Sequence, residues 1–109
     1  CGDCAQCNGI NYAIWPEASE QGKTAGANAA GDFIIYQAPS AGLSFHGMNT
    51  ALYAIGDNGK NPDLHYRTVE ICDEAKLQYE KYYYVNKQLK GAILIGDVSR
   101  MAEVTEKIQ

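Results

Sequence analysis

Apolar and polar residues alternate along much of the chain after Asp32, which is the pattern of β-strands with one buried face. The alternation is clearest on either side of Asn86-Lys87, a polar pair that suits a two-residue turn between antiparallel strands. Together with a short apolar run at 33–36, these patterns predict strands at 33–36, 43–46, 50–56, 66–73, 77–85 and 89–95. The sequence therefore predicts a sheet of five or six strands.

A helix made almost entirely of small residues is predicted from Pro16 to the Gly31-Asp32 stop. The face predicted to be buried contains Ala18, Gly22, Ala25 and Ala29. The side predicted to be exposed contains Glu17, Glu20, Lys23 and Asn28. Because side chains this small bury little area, the helix is expected to lie close to a sheet, another helix or a cofactor.

A second helix is predicted near the end of the chain, where Asp97 or Ser99 can cap its first turn. Met101, Val104 and Ile108 give it an apolar stripe. With short turns between strands and helices at the two ends, the predicted fold class is α+β. It consists of an N-terminal small-residue helix, a mostly antiparallel sheet and a C-terminal helix.

Composition narrows the classes of function. Of the 109 residues 46% are hydrophobic and 20% are charged, with a net charge of -4, which is typical of a folded domain and argues against nucleic-acid binding. The sequence contains neither an apolar stretch of 18 residues nor a signal-peptide pattern. We therefore expect a cytoplasmic protein that contacts no membrane.

The start on Cys-Gly-Asp, inside a motif and without an initiator Met, suggests a piece of a longer protein.

Cysteines suggest one alternative chemistry. Cys1, Cys4 and Cys7 form C-x-x-C-x-x-C, a spacing used for iron–sulfur or zinc ligands. A fourth ligand would have to come from Cys72 or a histidine, and Cys72 lies in a strand pattern where a small buried hydrophobe is more typical. We therefore predict no metal ligands, and keep a small iron–sulfur or zinc protein as an alternative hypothesis.

A self-contained active site is not evident in the sequence. It has no G-x-G-x-x-G, P-loop, G-x-S-x-G or H-E-x-x-H motif, so we assign no catalytic residue. Tyrosines are crowded between Tyr79 and Tyr84, which fits sheet packing, or a protein-binding face in a stand-alone interaction module.

The opening of the chain resembles the flavoprotein disulfide-reductase superfamily. The resemblance lies in Gly2-Asp3, then a loop, then Trp15-x-x-Ala18-x-x-Gln21-Gly22. It is closest to the branch that contains NADH:rubredoxin reductases and the flavin module of assimilatory nitrite reductases. Lys90 to Asp97 resembles the final strand of that family, and Ala54 to Asp57 a strand end in its C-terminal domain. Gln6 and Cys7 depart from the family pattern.

This resemblance implies a flavin site. Asp3, after Gly2, would accept hydrogen bonds from the ribityl hydroxyls of FAD. Backbone N–H groups around Trp15, Pro16 and Glu17 would face the pyrimidine end of the flavin, where a helix N-terminus favours negative charge. Trp15 would line the edge of the ring.

The resemblance also implies a domain organisation. Residues 1–31 would be the tail of an FAD-binding domain, and residues 32–109 a C-terminal domain that contacts a second subunit or a redox-protein acceptor. The upstream FAD- and NAD-binding domains would belong to the same parent chain. That parent would be an NAD(P)H-dependent FAD oxidoreductase passing electrons to a rubredoxin-like or nitrite-reductase type acceptor. We expect the 109 residues alone to be inactive.

Overall fold

The computed structural model of the protein describes residues 1–7, 9–38 and 42–108. The chain divides into two compact units, Cys1–Pro39 and Ser40–Gln109. The element order is one helix, five strands and one helix. The predicted α+β class is therefore confirmed.

The first unit consists of a loop followed by helix α1, Trp15–Ala29. Pro16 occupies the first turn of this helix, where its missing N–H costs nothing. The predicted orientation of the helix is wrong, because Glu17 is 4% exposed and Gln21 is 7% exposed. Gly22, Ala25 and Ala29 of the predicted buried face are instead exposed.

Residues 33–36 do not form the predicted strand, and 33–38 are without regular secondary structure. Phe33 and Ile35 are both largely exposed. Asn28 of the helix uses its amide to hold this segment: its Nδ2 donates to the carbonyl of Ile34 at 2.9 Å, and its Oδ1 accepts from the N–H of Ile34 at 2.8 Å. The side chain of Asn28 thus occupies the N–H and carbonyl of Ile34, which in a sheet would bond to a neighbouring strand.

The second unit is an antiparallel sheet with one helix. Its elements are β1 (Leu43–Gly47), β2 (Thr50–Gly56), β3 (Arg67–Asp73), β4 (Gln78–Val85), β5 (Gln88–Ile95) and α2 (Met101–Ile108). The strands lie in the order β1-β2-β5-β4-β3, and every neighbouring pair is antiparallel. The β4–β5 turn is formed by Asn86 and Lys87, whose φ angles of 51° and 67° are those of a primed hairpin turn.

The core lies between the sheet and α2. Leu94 in β5 is fully buried, and Val104 in α2 is 1% exposed. Tyr53, Ile55, Tyr82 and Ala92 complete the buried cluster. The hydroxyls of Tyr53 and Thr105 lie 2.6 Å apart in a hydrogen bond that joins β2 to the helix. The predicted apolar stripe of α2 is thus buried at Val104 and half-buried at Ile108, while Met101 is 46% exposed.

The crowded tyrosines are mainly packing residues, since Tyr82 and Tyr83 are buried and Tyr79 and Tyr84 are half-buried. The hydroxyl of Tyr82 donates to the carboxylate of Glu80 and accepts from Nη1 of Arg100 at 3.0 Å. Burial, together with the bond to Glu80, raises the pKa of Tyr82 to about 12.

This raised pKa predicts a loss of stability in alkali. The folded state favours the neutral phenol, so the contribution of Tyr82 is complete below the unfolded pKa, about 10, and is lost as pH rises to about 12. Urea denaturation between pH 8 and 12 is expected to give a steeper fall in unfolding free energy for the wild type than for Tyr82→Phe. Equal slopes for the two proteins would contradict this account.

No helix within the described ranges is long and apolar enough to cross a membrane.

Candidate functional site

The loop that carries Gly2 and Asp3 is attached to helix α1 by a partly buried hydrogen bond. The N–H of Gly2 donates to Oε1 of Gln21 at 2.7 Å. Gly2 has a φ of +82°, a left-handed conformation that glycine adopts without strain. A Cβ placed on Gly2 would lie 3.9 Å from Cβ of Ala18, so the loop backbone is in contact range of the first turns of the helix.

Asn11 fixes the shape of the same loop. Its Nδ2 donates to the carbonyl oxygens of Asp3 at 2.8 Å and Ala5 at 2.9 Å. The N–H of Ala5 also donates to the carbonyl of Gly2 at 2.9 Å, which closes a turn around Asp3. The side chain of Asp3 is exposed, and its carboxylate accepts no hydrogen bond from the described part of the chain. The backbone of Asp3 is therefore held while its charged group remains open to a ligand.

The N-terminus of α1 is also open. Its N-cap residue is Ile14, which makes no side-chain capping bond. The first intrahelical bond runs from the N–H of Ala18 to the carbonyl of Ile14 at 3.0 Å, so the N–H groups of Trp15 and Glu17 have no partner within the helix. Trp15 is 80% exposed. An uncapped helix end with an exposed indole is suited to a planar ligand that carries hydrogen-bond acceptors.

The side chain of Glu17 turns into the first unit, and its Oε2 is buried without a hydrogen-bond partner among the described residues. Burying a carboxylate oxygen without a hydrogen bond destabilises the folded state, so a hydrogen-bond donor is expected at this position. The backbone N–H of Glu17, rather than its carboxylate, is the group available at the helix end.

These groups match the chemistry of FAD. A free carboxylate can accept from ribityl hydroxyls, unpaired backbone N–H groups can donate to flavin carbonyls, and an exposed indole can cover the edge of a ring. The structure brings Gly2 and the first turns of α1 close together within the first unit. The five residues expected at the cofactor, Gly2, Asp3, Trp15, Pro16 and Glu17, lie in the loop and first turn described above. Their contact with FAD remains a prediction.

The cysteines do not assemble into a metal centre. All four are free thiols, and within residues 1–7, 9–38 and 42–108 no three His, Cys, Asp or Glu side chains come close enough to hold a metal ion. Cys72, expected to be a buried hydrophobe, is exposed on β3, which is an edge strand. The described residues therefore offer no ligand set for the iron–sulfur or zinc alternative.

Two side chains that hold the loop were not assigned that role from sequence. Asn11 and Gln21 act over separations of 8 and 19 residues, which no local pattern reveals. The sequence did predict the loop, and a loop rich in turn residues needs hydrogen-bond partners for its backbone groups. It did not indicate which side chains would provide them.

Similarities to known proteins extend over most of the chain. Residues 39–109 match the family described as the rubredoxin NAD+ reductase C-terminal domain. The assimilatory nitrate reductase electron transfer subunit of Bacillus subtilis (strain 168) is 34% identical over 100 residues, which is 88% of this chain and 12% of that protein. The crystal structure of NADH:rubredoxin oxidoreductase from Clostridium acetobutylicum superposes with a TM-score of 0.73 at 25% identity, covering 99% of this chain and 28% of that one.

The chain thus spans only a small part of each relative, and the family match begins close to the division between the two units. That match covers more than half of the chain and includes all five strands and α2. The chain belongs to the rubredoxin NAD+ reductase C-terminal domain family.

Proposed function

We propose that the chain is the C-terminal part of an NAD(P)H-dependent FAD oxidoreductase that passes electrons to a protein acceptor. Residues 1–31 would form one wall of the flavin site, and residues 32–109 the C-terminal domain. The observation that supports this most directly is the Gly2-Asp3 loop, tied to α1 by Gln21 beside an uncapped helix N-terminus. Membership of the reductase family supports the same assignment.

Each proposed contact uses a group that the first unit leaves open. The carboxylate of Asp3 would accept from the ribityl hydroxyls, and the N–H groups of Trp15 and Glu17 would donate to the pyrimidine side of the ring. Pro16 would keep the first turn in helical geometry without presenting an N–H. The indole of Trp15, 80% exposed in this chain, would be covered by the ring edge. FAD, when bound, would supply the exchange of a hydride for single electrons.

The remaining walls of the site would belong to upstream FAD- and NAD-binding domains. The acceptor is proposed from the names of the relatives, one a rubredoxin oxidoreductase and the other an electron transfer subunit of nitrate reductase. The first name supports a rubredoxin-like acceptor, and the second supports electron transfer within a nitrate reductase. An acceptor of the nitrite-reductase type is proposed from the sequence resemblance. The second unit would contact this acceptor or another subunit.

A substitution at Asp3 in the longer reductase tests the flavin contact. Asp3→Asn is expected to weaken FAD binding about tenfold or more, because it replaces a charge-assisted hydrogen bond with a neutral one. Asp32→Asn is a matched control, since Asp32 is also exposed in the first unit. Flavin release followed by fluorescence gives both dissociation constants.

Equal FAD affinity for Asp3→Asn and Asp32→Asn would contradict the assignment of Asp3. The 109-residue chain provides a second test, because it is expected to bind FAD weakly. Stoichiometric binding of FAD to this chain at low micromolar concentration would show that upstream walls are not needed.

A further inference from the structure

A cleft of about 300 Å³ lies at one end of the sheet in the second unit, and none of its lining residues belongs to the loop and helix assigned to the flavin. It opens where β3 begins and where β4 turns into β5. The residues that line it are His65, Arg67, Val69, Tyr84, Asn86 and Lys87. A cavity of this volume is at the lower end of the range occupied by small-molecule ligands.

The backbone on both sides of the cleft is fixed by the fold. Arg67 is paired directly with Tyr84 across the β3–β4 ladder, so their side chains emerge next to each other on one face of the sheet. Asn86 and Lys87 form the two-residue turn that follows, and both have the positive φ that this turn requires. The positions of the two cationic residues relative to Tyr84 are therefore set by strand register and turn type.

The charges around the cleft are not compensated. Four of the other six cations of the second unit pair with carboxylates: Lys76 with Asp73, Lys81 with Glu70, Arg100 with Glu80 and Glu103, and Lys107 with Glu103. The other two, Lys60 and Lys90, do not line the cleft. Arg67 and Lys87 form no ion pair with the described residues, and no carboxylate lines the cleft. In a chain whose net charge is -4, two free cations facing one cavity attract an anion.

The remaining walls are suited to an apolar body. Val69 supplies an aliphatic surface and Tyr84 an aromatic one, and Asn86 adds an amide that can donate or accept a hydrogen bond. The guanidinium of Arg67 presents parallel N–H groups that match the two oxygens of a carboxylate or phosphate. We propose that this cleft binds a small molecule in which an apolar or aromatic body carries a carboxylate or phosphate group.

The test is an NMR titration of the 109-residue chain with four probes at constant ionic strength. Phenyl phosphate and benzoate combine an aromatic body with each anion, benzyl alcohol has the body alone, and inorganic phosphate has the anion alone. Saturable shifts at the amides of Arg67, Tyr84 and Lys87 are expected with phenyl phosphate, benzoate or both. Which of those two binds more tightly identifies the anion. Benzyl alcohol and inorganic phosphate are expected to bind at least about tenfold more weakly.

Three variants separate the cleft from general surface charge. Arg67→Gln is expected to weaken the tighter probe about tenfold or more, and Arg67→Lys to retain part of its binding. Lys90→Gln removes an exposed lysine of the same hairpin that does not line the cleft, and is expected to leave binding unchanged. Should Arg67→Gln fail to fold, Lys87→Gln at the exposed turn takes its place.

The proposal is overturned if Lys90→Gln and Arg67→Gln weaken binding equally, or if benzyl alcohol or inorganic phosphate binds as tightly as the combined probes. It is also overturned if no probe gives a saturable shift at these amides. None of these outcomes bears on the flavin assignment, because the cleft contains none of its residues.

Discussion

Replacing Leu94 with alanine is expected to lower the free energy of unfolding by about 3–5 kcal/mol. Leu94 is completely buried in β5, a central strand of the sheet. Its neighbours across the ladder are Tyr53 in β2 and Glu80 in β4, and Val104 of α2 belongs to the same buried cluster. Because strands are fixed on both sides of Leu94, the cavity left by the substitution cannot collapse easily. The loss in free energy of unfolding is therefore expected toward the upper end of this range.

Such a loss is large for a small domain, whose total stability is commonly about 5–15 kcal/mol. Urea denaturation followed by circular dichroism measures it, with Leu77→Ala as the control. Leu77 is 81% exposed outside the strands, so its truncation is expected to change the unfolding free energy by less than about 0.5 kcal/mol. A similar loss for both variants would mean that the core does not lie where the structure places it.

The strands of this unit could be predicted from sequence because each signal was local. Alternation located β3 and β4, and apolar segments bounded by turn residues located β2 and β5, all to within one residue of their observed ends. Asn86-Lys87 located the turn between β4 and β5. The apolar run at 33–36 also favoured a strand but forms none, and the backbone N–H and carbonyl of Ile34 are paired with Asn28 instead. A local sequence pattern shows that a segment can form a strand. Whether it does so depends on which groups its backbone N–H and carbonyl groups bond to.

The face of the sheet that α2 covers could not be predicted in this way. Along β2 and β5, apolar residues point to both sides, with Leu52 and Ile95 on one face and Tyr53 and Leu94 on the other. Alternation then carries no contrast between inside and outside. The hydrogen bond between Tyr53 and Thr105, and the burial of Val104 with Tyr53 and Leu94, place α2 on the second of these faces.

The candidate flavin site shows a related limit. The resemblance identified Gly2, Asp3 and the start of the helix as candidate site residues. The rule that polar residues face outward, however, predicts the wrong orientation of the helix. Gln21 is buried because its amide oxygen binds the N–H of Gly2, and such a contact depends on the loop rather than on the helix. The two cationic residues of the cleft are likewise separated by 20 positions and meet only through the register of β3 with β4.

Replacing Gly91 with alanine is expected to lower the free energy of unfolding by about 3 kcal/mol or more, an effect of the same order as the truncation of Leu94. A Cβ at residue 91 would lie 1.8 Å from the carbonyl oxygen of Asp57 and 2.8 Å from its carbonyl carbon. Both atoms belong to the backbone, so no rotation of a side chain relieves the overlap. Gly91 pairs with Gly56 in β2 and with Tyr83 in β4, and moving it would disturb both ladders.

The surrounding backbone has little freedom to move. The N–H of Asp57 donates to the carbonyl of Lys90 at 2.8 Å, which holds the two chain segments together at this point. Gly56 has a φ of +76°, and a Cβ there would lie 2.1 Å from the same carbonyl of Lys90. Shifting β2 away from a new methyl group at 91 would therefore break a hydrogen bond and strain a left-handed residue. The close approach of β2 and β5 requires glycine on both strands.

Gly22→Ala is the control that separates this steric effect from the general effect of replacing glycine. Gly22 lies in α1, and no atom beyond its own stretch of helix lies within 4 Å of the position that a methyl group would take there. Alanine is therefore expected to raise the stability of the first unit by about 0.5–1 kcal/mol through its better helix propensity. Thermal melts of both variants test the contrast in sign. A neutral Gly91→Ala would contradict the close approach of β2 and β5. The packing around Leu94 would then have to be looser than its burial indicates.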